Sequence, residues 1–169
     1  VKGVTGEAIE ETVARLLADG TITASVAEHI DAASILAFFQ SEQGRLALDP
    51  SNTVWREWPF TFALPAGSSC VARDAICAEA DTKADIRDTS QGDAIQDTIV
   101  VQGIIDMLIR TPGGLVVIDF KTDRVTAEQV GQRAEFYRGQ LELYSEAACA
   151  ILKAEAVGRW LYFLTPRVS

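Results

Sequence analysis

Two Val- and Ile-rich runs, Thr98 to Arg110 and Leu115 to Lys121, are joined by Thr111-Pro-Gly-Gly114. β-Branched runs on either side of a Pro-Gly turn predict a hairpin. With Pro112 and Gly113 at the centre of the turn, Thr111 pairs with Gly114, and the same register sets Asp106 directly opposite Asp119. Opposed Cβ atoms in such a ladder lie about 4.5–5.5 Å apart, and like charges there destabilise the sheet.

Asp119 also interrupts an apolar strand, and a buried carboxylate is costly unless it is paired or bound to a metal. Lys121, two residues on, projects from the same face. Spacing leaves two readings open. In one, a divalent cation between the acids removes their conflict, and deleting Asp119 relieves strain. In the other, Asp106 and Asp119 are solvated strand-end residues with Lys121 as their salt-bridge partner.

The remaining elements predict what surrounds the hairpin. From Glu7 to Ala18 the residues Ile9, Val13, Leu16 and Leu17 recur at helical spacing, with Gly20 beyond as a C-terminal cap. Ser25-Val-Ala-Glu28 reads as a capping box for a short helix, and Ile35, Leu36, Phe38 and Phe39 give a third helical stripe ending before Gly44. A strand begins at Thr53, where aromatic and β-branched residues cluster. Beyond Thr126, the residues Val130, Ala134, Tyr137, Leu141, Tyr144, Ala148 and Ile151 mark one face of a long helix, and Trp160 to Leu164 reads as a closing strand. The fold class is α/β with a mixed sheet flanked by helices.

A length of 169 residues, with 48% apolar and 23% charged, fits one compact domain that buries a core. Residues 1–45 form its helical part and 53–169 its α/β core, with an acidic loop or insertion at about 79–97. No apolar stretch reaches the ~18–20 residues needed to span a bilayer, and the N-terminus has no basic region followed by an apolar block. Cys70, Cys77, Cys149 and the lone His29 do not have the spacing of a zinc or iron–sulfur ligand set. A soluble protein of a reducing cytoplasm is expected. A net charge of −9 argues against gripping nucleic acid by the overall field, though not against a local basic site.

Three segments carry a resemblance. Gly103-Ile-Ile-Asp106, then Ile118-Asp-Phe-Lys-Thr-Asp123, then Tyr137-Arg-Gly-Gln-Leu-Glu-Leu-Tyr144 resemble the ordered motifs of the RecB-type branch of PD-(D/E)XK nucleases, with their restriction-endonuclease-like core. Within that branch they are most similar to the nuclease domain of AddA-type helicase-nucleases. Ala37-Phe-Phe-Gln-Ser41 and Arg56-Glu-Trp-Pro-Phe60 extend the likeness, which runs from about residue 10 to about residue 164. The resemblance implies that Asp106, Asp119 and the carbonyl of Phe120 bind the metal, that Lys121 positions the attacking water, and that Gln140 and Tyr144 complete the catalytic set. It implies Mg²⁺, with Mn²⁺ as a substitute. The implied substrate is single-stranded DNA, cut to leave a 5′-phosphate during recombinational repair of double-strand breaks. The implied partners are helicase domains of the same full-length chain and a second, AddB-like subunit.

The family's metal-binding histidine lies upstream in a segment of the form Gly-Thr-x-x-His. His29, in Ala27-Glu-His-Ile-Asp31, does not match and reads as a surface helix residue. The expectation is a C-terminal piece that starts downstream of that histidine, binds metal weakly and has little activity alone. A catalytically silent relative that guides DNA or docks onto another protein is the alternative, and a small-molecule-binding α/β domain is a third reading.

Overall fold

The computed structural model describes residues 3–65, 83–86, 98–123 and 125–165. Four helices come first: α1 (Gly6–Ala18), α2 (Ala24–Ala27), α3 (Ala32–Gln40) and α4 (Glu42–Leu48). Each begins at a hydroxyl or carboxylate that accepts from its own first turn: Thr5 from Ala8, Thr23 from Val26, Asp31 from Ala33 and Ser41 from Gly44. One expectation changes here: the cap of α2 is Thr23 rather than Ser25. The third stripe does end before Gly44, at Gln40, and Gly44 itself lies inside a further helix, α4, because the Ser41 hydroxyl restarts the helix one residue after α3 stops.

The sheet follows, with β1 (Thr53–Pro65), β2 (Lys83–Ile86), β3 (Thr98–Thr111), β4 (Gly114–Lys121) and, after helix α5 (Val130–Leu152), β5 (Ala156–Phe163). The closing strand starts four residues before Trp160, the expected position. Of the acidic stretch at 79–97, only Lys83–Ile86 lies within the described residues, and it is a strand rather than loop. The sheet order is β1-β3-β4-β5, with β2 also on β3; only the β4–β5 pairing is parallel, α5 being the crossover between those two strands.

Two cores cover the two faces. Ile105, Leu108, Leu115 and Val117 pack with Leu141, Tyr144, Ala147 and Ala148 of α5. Met107, Ile109, Val116 and Ile118 pack with Phe38 of α3 and Tyr162 of β5. Ile151, at the end of the helical stripe, is exposed instead of buried. Arg110 donates to the Leu152 carbonyl at 2.8 Å and fixes the C-terminal end of α5 on the sheet, while Ser34 donates to the Leu164 carbonyl at 3.1 Å and ties α3 to the end of β5. Among the described residues no helix is long and apolar enough to cross a membrane.

Candidate active site

The site is built where β3 loses its regularity. Side chains of a strand alternate between faces, yet Ile105 and Leu108 both face the α5 core while Met107 and Ile109 face the other. The alternation therefore slips by one at Asp106. On β1 the same slip falls between Trp55 and Trp58, both on the α5 side. Between them Glu57 adopts a left-handed backbone with φ 49°, and the Glu57–Asp106 step is the one missing from an otherwise continuous ladder. A non-glycine residue in that region costs about 1–3 kcal/mol. The strain falls beside Asp106, the first of the two candidate acids.

The other edge of β3 is shared. β4 takes Met107 to Thr111 and β2 takes Ile99 to Gln102, which leaves Gly103 to Asp106 between the two strands. A cavity of about 480 Å³ opens there, lined by Glu57, Ile104, Asp106, Asp119, Phe120, Lys121, Gln140 and Tyr144. All six residues singled out from the sequence line this one space.

The hairpin register is the expected one as far as Met107–Ile118, the last pair of the ladder. One step further, Asp106 and Asp119 do not continue it. The Asp106 carboxylate instead accepts from the Phe120 backbone N–H through Oδ2 at 2.8 Å. Asp119, 4% exposed, has its Oδ2 3.0 Å from Lys121 Nζ. The close like-charge conflict expected from the sequence is thus met by a backbone donor on one acid and an ammonium on the other.

Helix α5 completes the site. Lys121 Nζ donates to Gln140 Oε1 at 2.8 Å, and Gln140 Nε2 donates to the Tyr144 hydroxyl at 3.1 Å. Four-residue spacing stacks Gln140 and Tyr144 on one helix face. Tyr144 in turn meets the Phe60 ring edge to face at 5.4 Å. The two rings can meet because Gly103 lies between them: a Cβ there would come within 2.9 Å of Phe60 and 3.4 Å of Tyr144. The glycine of Gly103-Ile-Ile-Asp106 is therefore a packing requirement of the site.

Beyond Lys121, Asp123 accepts from Arg133 Nε at 3.1 Å and from the Tyr137 hydroxyl at 2.8 Å. The Arg133 hydrogen bond, aided by that of Tyr137, holds the Asp123 carboxyl below its ordinary range against the opposing effect of desolvation. Tyr137 belongs to the helical stripe and the third motif of the sequence, whereas Asp123 and Arg133 as a pair, and Glu57, have no role in the sequence reading. Asp123 carries a signal in Lys121-Thr-Asp123, whereas the backbone of Glu57 has none, since nothing in Arg56-Glu-Trp announces a left-handed residue inside a strand.

His29 is exposed in the turn after α2, its Nδ1 2.7 Å from the Ser25 carbonyl, and does not line the cavity. It is a surface residue as expected, though just past the helix end. Among the described residues, no group of three or more His, Cys, Asp or Glu side chains is arranged to hold a metal ion. The oxygen donors of Asp106, Asp119 and the Phe120 carbonyl have the hard character that suits a cation such as Mg²⁺, with water completing its shell.

Acids on β3 and β4 followed two residues later by a lysine, in an α/β sheet, define the PD-(D/E)XK type of nuclease fold. The chain belongs to the PD-(D/E)XK nuclease superfamily, whose family model matches residues 4–169. It is similar to the A subunits of ATP-dependent helicase/nucleases from several bacteria. Identity is 31% over 160 residues with the Levilactobacillus brevis protein, covering 92% of this chain and 11% of the relative. With the Desulforudis audaxviator protein it is 34% over 158 residues, covering 94% and 11%. With that of Bacillus velezensis it is 35% over 168 residues, covering 94% and 12%. The chain spans about a ninth of the length of these curated relatives.

Proposed function

We propose that these residues are the nuclease domain of a bacterial helicase-nuclease, hydrolysing phosphodiester bonds of single-stranded DNA in a metal-dependent reaction during double-strand break processing. The observation that carries this reading is the single cavity in which Asp106, Asp119 and Lys121 meet Gln140 and Tyr144. Asp106, Asp119 and the Phe120 carbonyl would hold Mg²⁺, or Mn²⁺ in its place. Bound there, the cation would supply an activated water and offset charge on the phosphate.

The protein's own groups do the rest. Lys121 presents an ammonium that orients water and stabilises negative charge as it develops, and it does so from a fixed position because Gln140 and Asp119 both hold it. Tyr144 fixes Gln140 by receiving its amide hydrogen. A chain of net charge −9 gains little long-range attraction to DNA. The helicase part of a longer chain and a second, AddB-like subunit would supply that grip, in the cytoplasm where the DNA lies.

The test uses the native polypeptide that contains these residues, with end-labelled single-stranded DNA and Mg²⁺, Mn²⁺ or chelator. Metal-dependent cleavage lost in Asp119→Asn and Lys121→Ala supports the reading. Intact DNA binding with no cleavage by the wild type would point to a silent DNA-guiding or docking module.

A further inference from the structure

We propose that Tyr137 is a positioning residue for Lys121, with the Asp123–Arg133 pair as its anchor; this rests on the nuclease reading above. Lys121 Nζ lies 3.9 Å from the centroid of the Tyr137 ring. The ammonium thus has three kinds of neighbour: the Asp119 carboxylate at 3.0 Å, the Gln140 amide oxygen at 2.8 Å and an aromatic face. Each restricts it differently. The carboxylate attracts its charge and the amide accepts one of its three hydrogens. The ring attracts the charge through its negative face without adding a formal negative charge. A second carboxylate in the place of the ring would neutralise the ammonium that the reaction needs.

A ring can do this only if it cannot turn away. Tyr137 is 6% exposed, and its hydroxyl is held from two sides, donating to Asp123 Oδ2 at 2.8 Å and accepting from Arg133 at 2.9 Å. Arg133 Nε closes the triangle on the same Asp123 oxygen at 3.1 Å. Asp123 lies two residues after Lys121, while Arg133 lies one helical turn before Tyr137 on α5. The triangle therefore pins the strand carrying the lysine to the helix carrying its ring. The contact of the ring with the Lys121 ammonium is the route by which Tyr137 would act on the site.

The experiment measures single-turnover cleavage of single-stranded DNA by the native polypeptide, with Mn²⁺ affinity measured alongside. Tyr137→Phe removes the hydroxyl anchor but keeps the ring and its negative face, and fluorinated phenylalanines at the same position, compared with that variant, weaken the face at nearly constant ring size. The expected result is a rate that falls stepwise with fluorination, by about tenfold across the series, at unchanged Mn²⁺ affinity. Tyr137→Leu should lose at least as much, and in a Lys121→Ala background it should lose nothing further. Rates independent of fluorination, or an equal loss from Tyr137→Leu with and without Lys121, would overturn the positioning role while leaving the nuclease reading intact. Lys121→Ala cutting at the wild-type rate would overturn both.

Discussion

The Asp106 carboxylate accepts a hydrogen bond from the backbone N–H of Phe120. Its Oδ2 takes the N–H one step beyond the last pair of the hairpin ladder, so the acid closes the ladder as well as facing the cavity. Asp106→Asn keeps an oxygen for that bond and loses only the charge. It should leave stability within about 0.5 kcal/mol of wild type while abolishing metal-dependent cleavage, whereas Asp106→Ala should cost about 1–2 kcal/mol for the unsatisfied donor. Urea unfolding and a cleavage assay separate the two effects.

Asp119 behaves differently from what its sequence position suggests. Read as a repelled carboxylate, it could be removed with a gain in stability; in the structure its Oδ2 is paired with Lys121, and both side chains are largely buried. Asp119→Ala should therefore destabilise, by about 3 kcal/mol, since breaking a buried pair from one side leaves a charge behind. Replacing both partners, as Asp119→Ala with Lys121→Met, should recover much of that loss. A single variant as stable as wild type would restore the repulsion reading.

Gly103→Ala places a methyl group 2.9 Å from the Phe60 ring, and neither that ring nor Tyr144 can withdraw without opening the α5 core. A cost of about 1–3 kcal/mol is expected for this overpacking. Adding Phe60→Leu should return part of it, and thermal melts of the two single variants and the double variant measure the coupling.

The Asp123 carboxyl is depressed chiefly by its bond to Arg133. The stability it contributes is complete above the ordinary carboxylate pKa of about 3.9, and it disappears as the pH falls through the lower folded-state value. Wild type should be more stable than Asp123→Asn at pH 6, and the gap should narrow below about pH 4. A gap that does not change between pH 6 and pH 3 would mean that the amide loses shape complementarity rather than charge.

The hairpin was legible because local chemistry dictates it. Pro112 and Gly113 set the turn, and the turn sets the register that brings Asp106 near Asp119 and turns Lys121 to the same face. Gln140 and Tyr144 were legible through the resemblance of Tyr137-Arg-Gly-Gln-Leu-Glu-Leu-Tyr144 to a nuclease motif, and their four-residue spacing puts them on one side of α5. What escaped has non-local causes. The slip in alternation at Asp106 is shared with Glu57, almost fifty residues earlier in the chain, and only their pairing creates it. The partner that relieves Asp119 was visible as Lys121, but the ring beneath that lysine is supplied by tertiary packing of α5.

The parts of this site also differ in how much chain must be organised before they can meet. Asp106 and Phe120 are brought together by closing a tight turn, whereas Gln140 and Tyr137 reach Lys121 only after α5 has formed and docked across the sheet. Loop closure costs less for near neighbours, and contacts close in sequence form sooner. The two acids are thus expected to assemble early, with the lysine clamp closing last and opening first. Amide hydrogen exchange would read this order as slower exchange at Phe120 than along the first turns of α5. Cutting competence would then be the most easily withdrawn property of the domain, lost in a partial opening of one helix while the acids stay where they are.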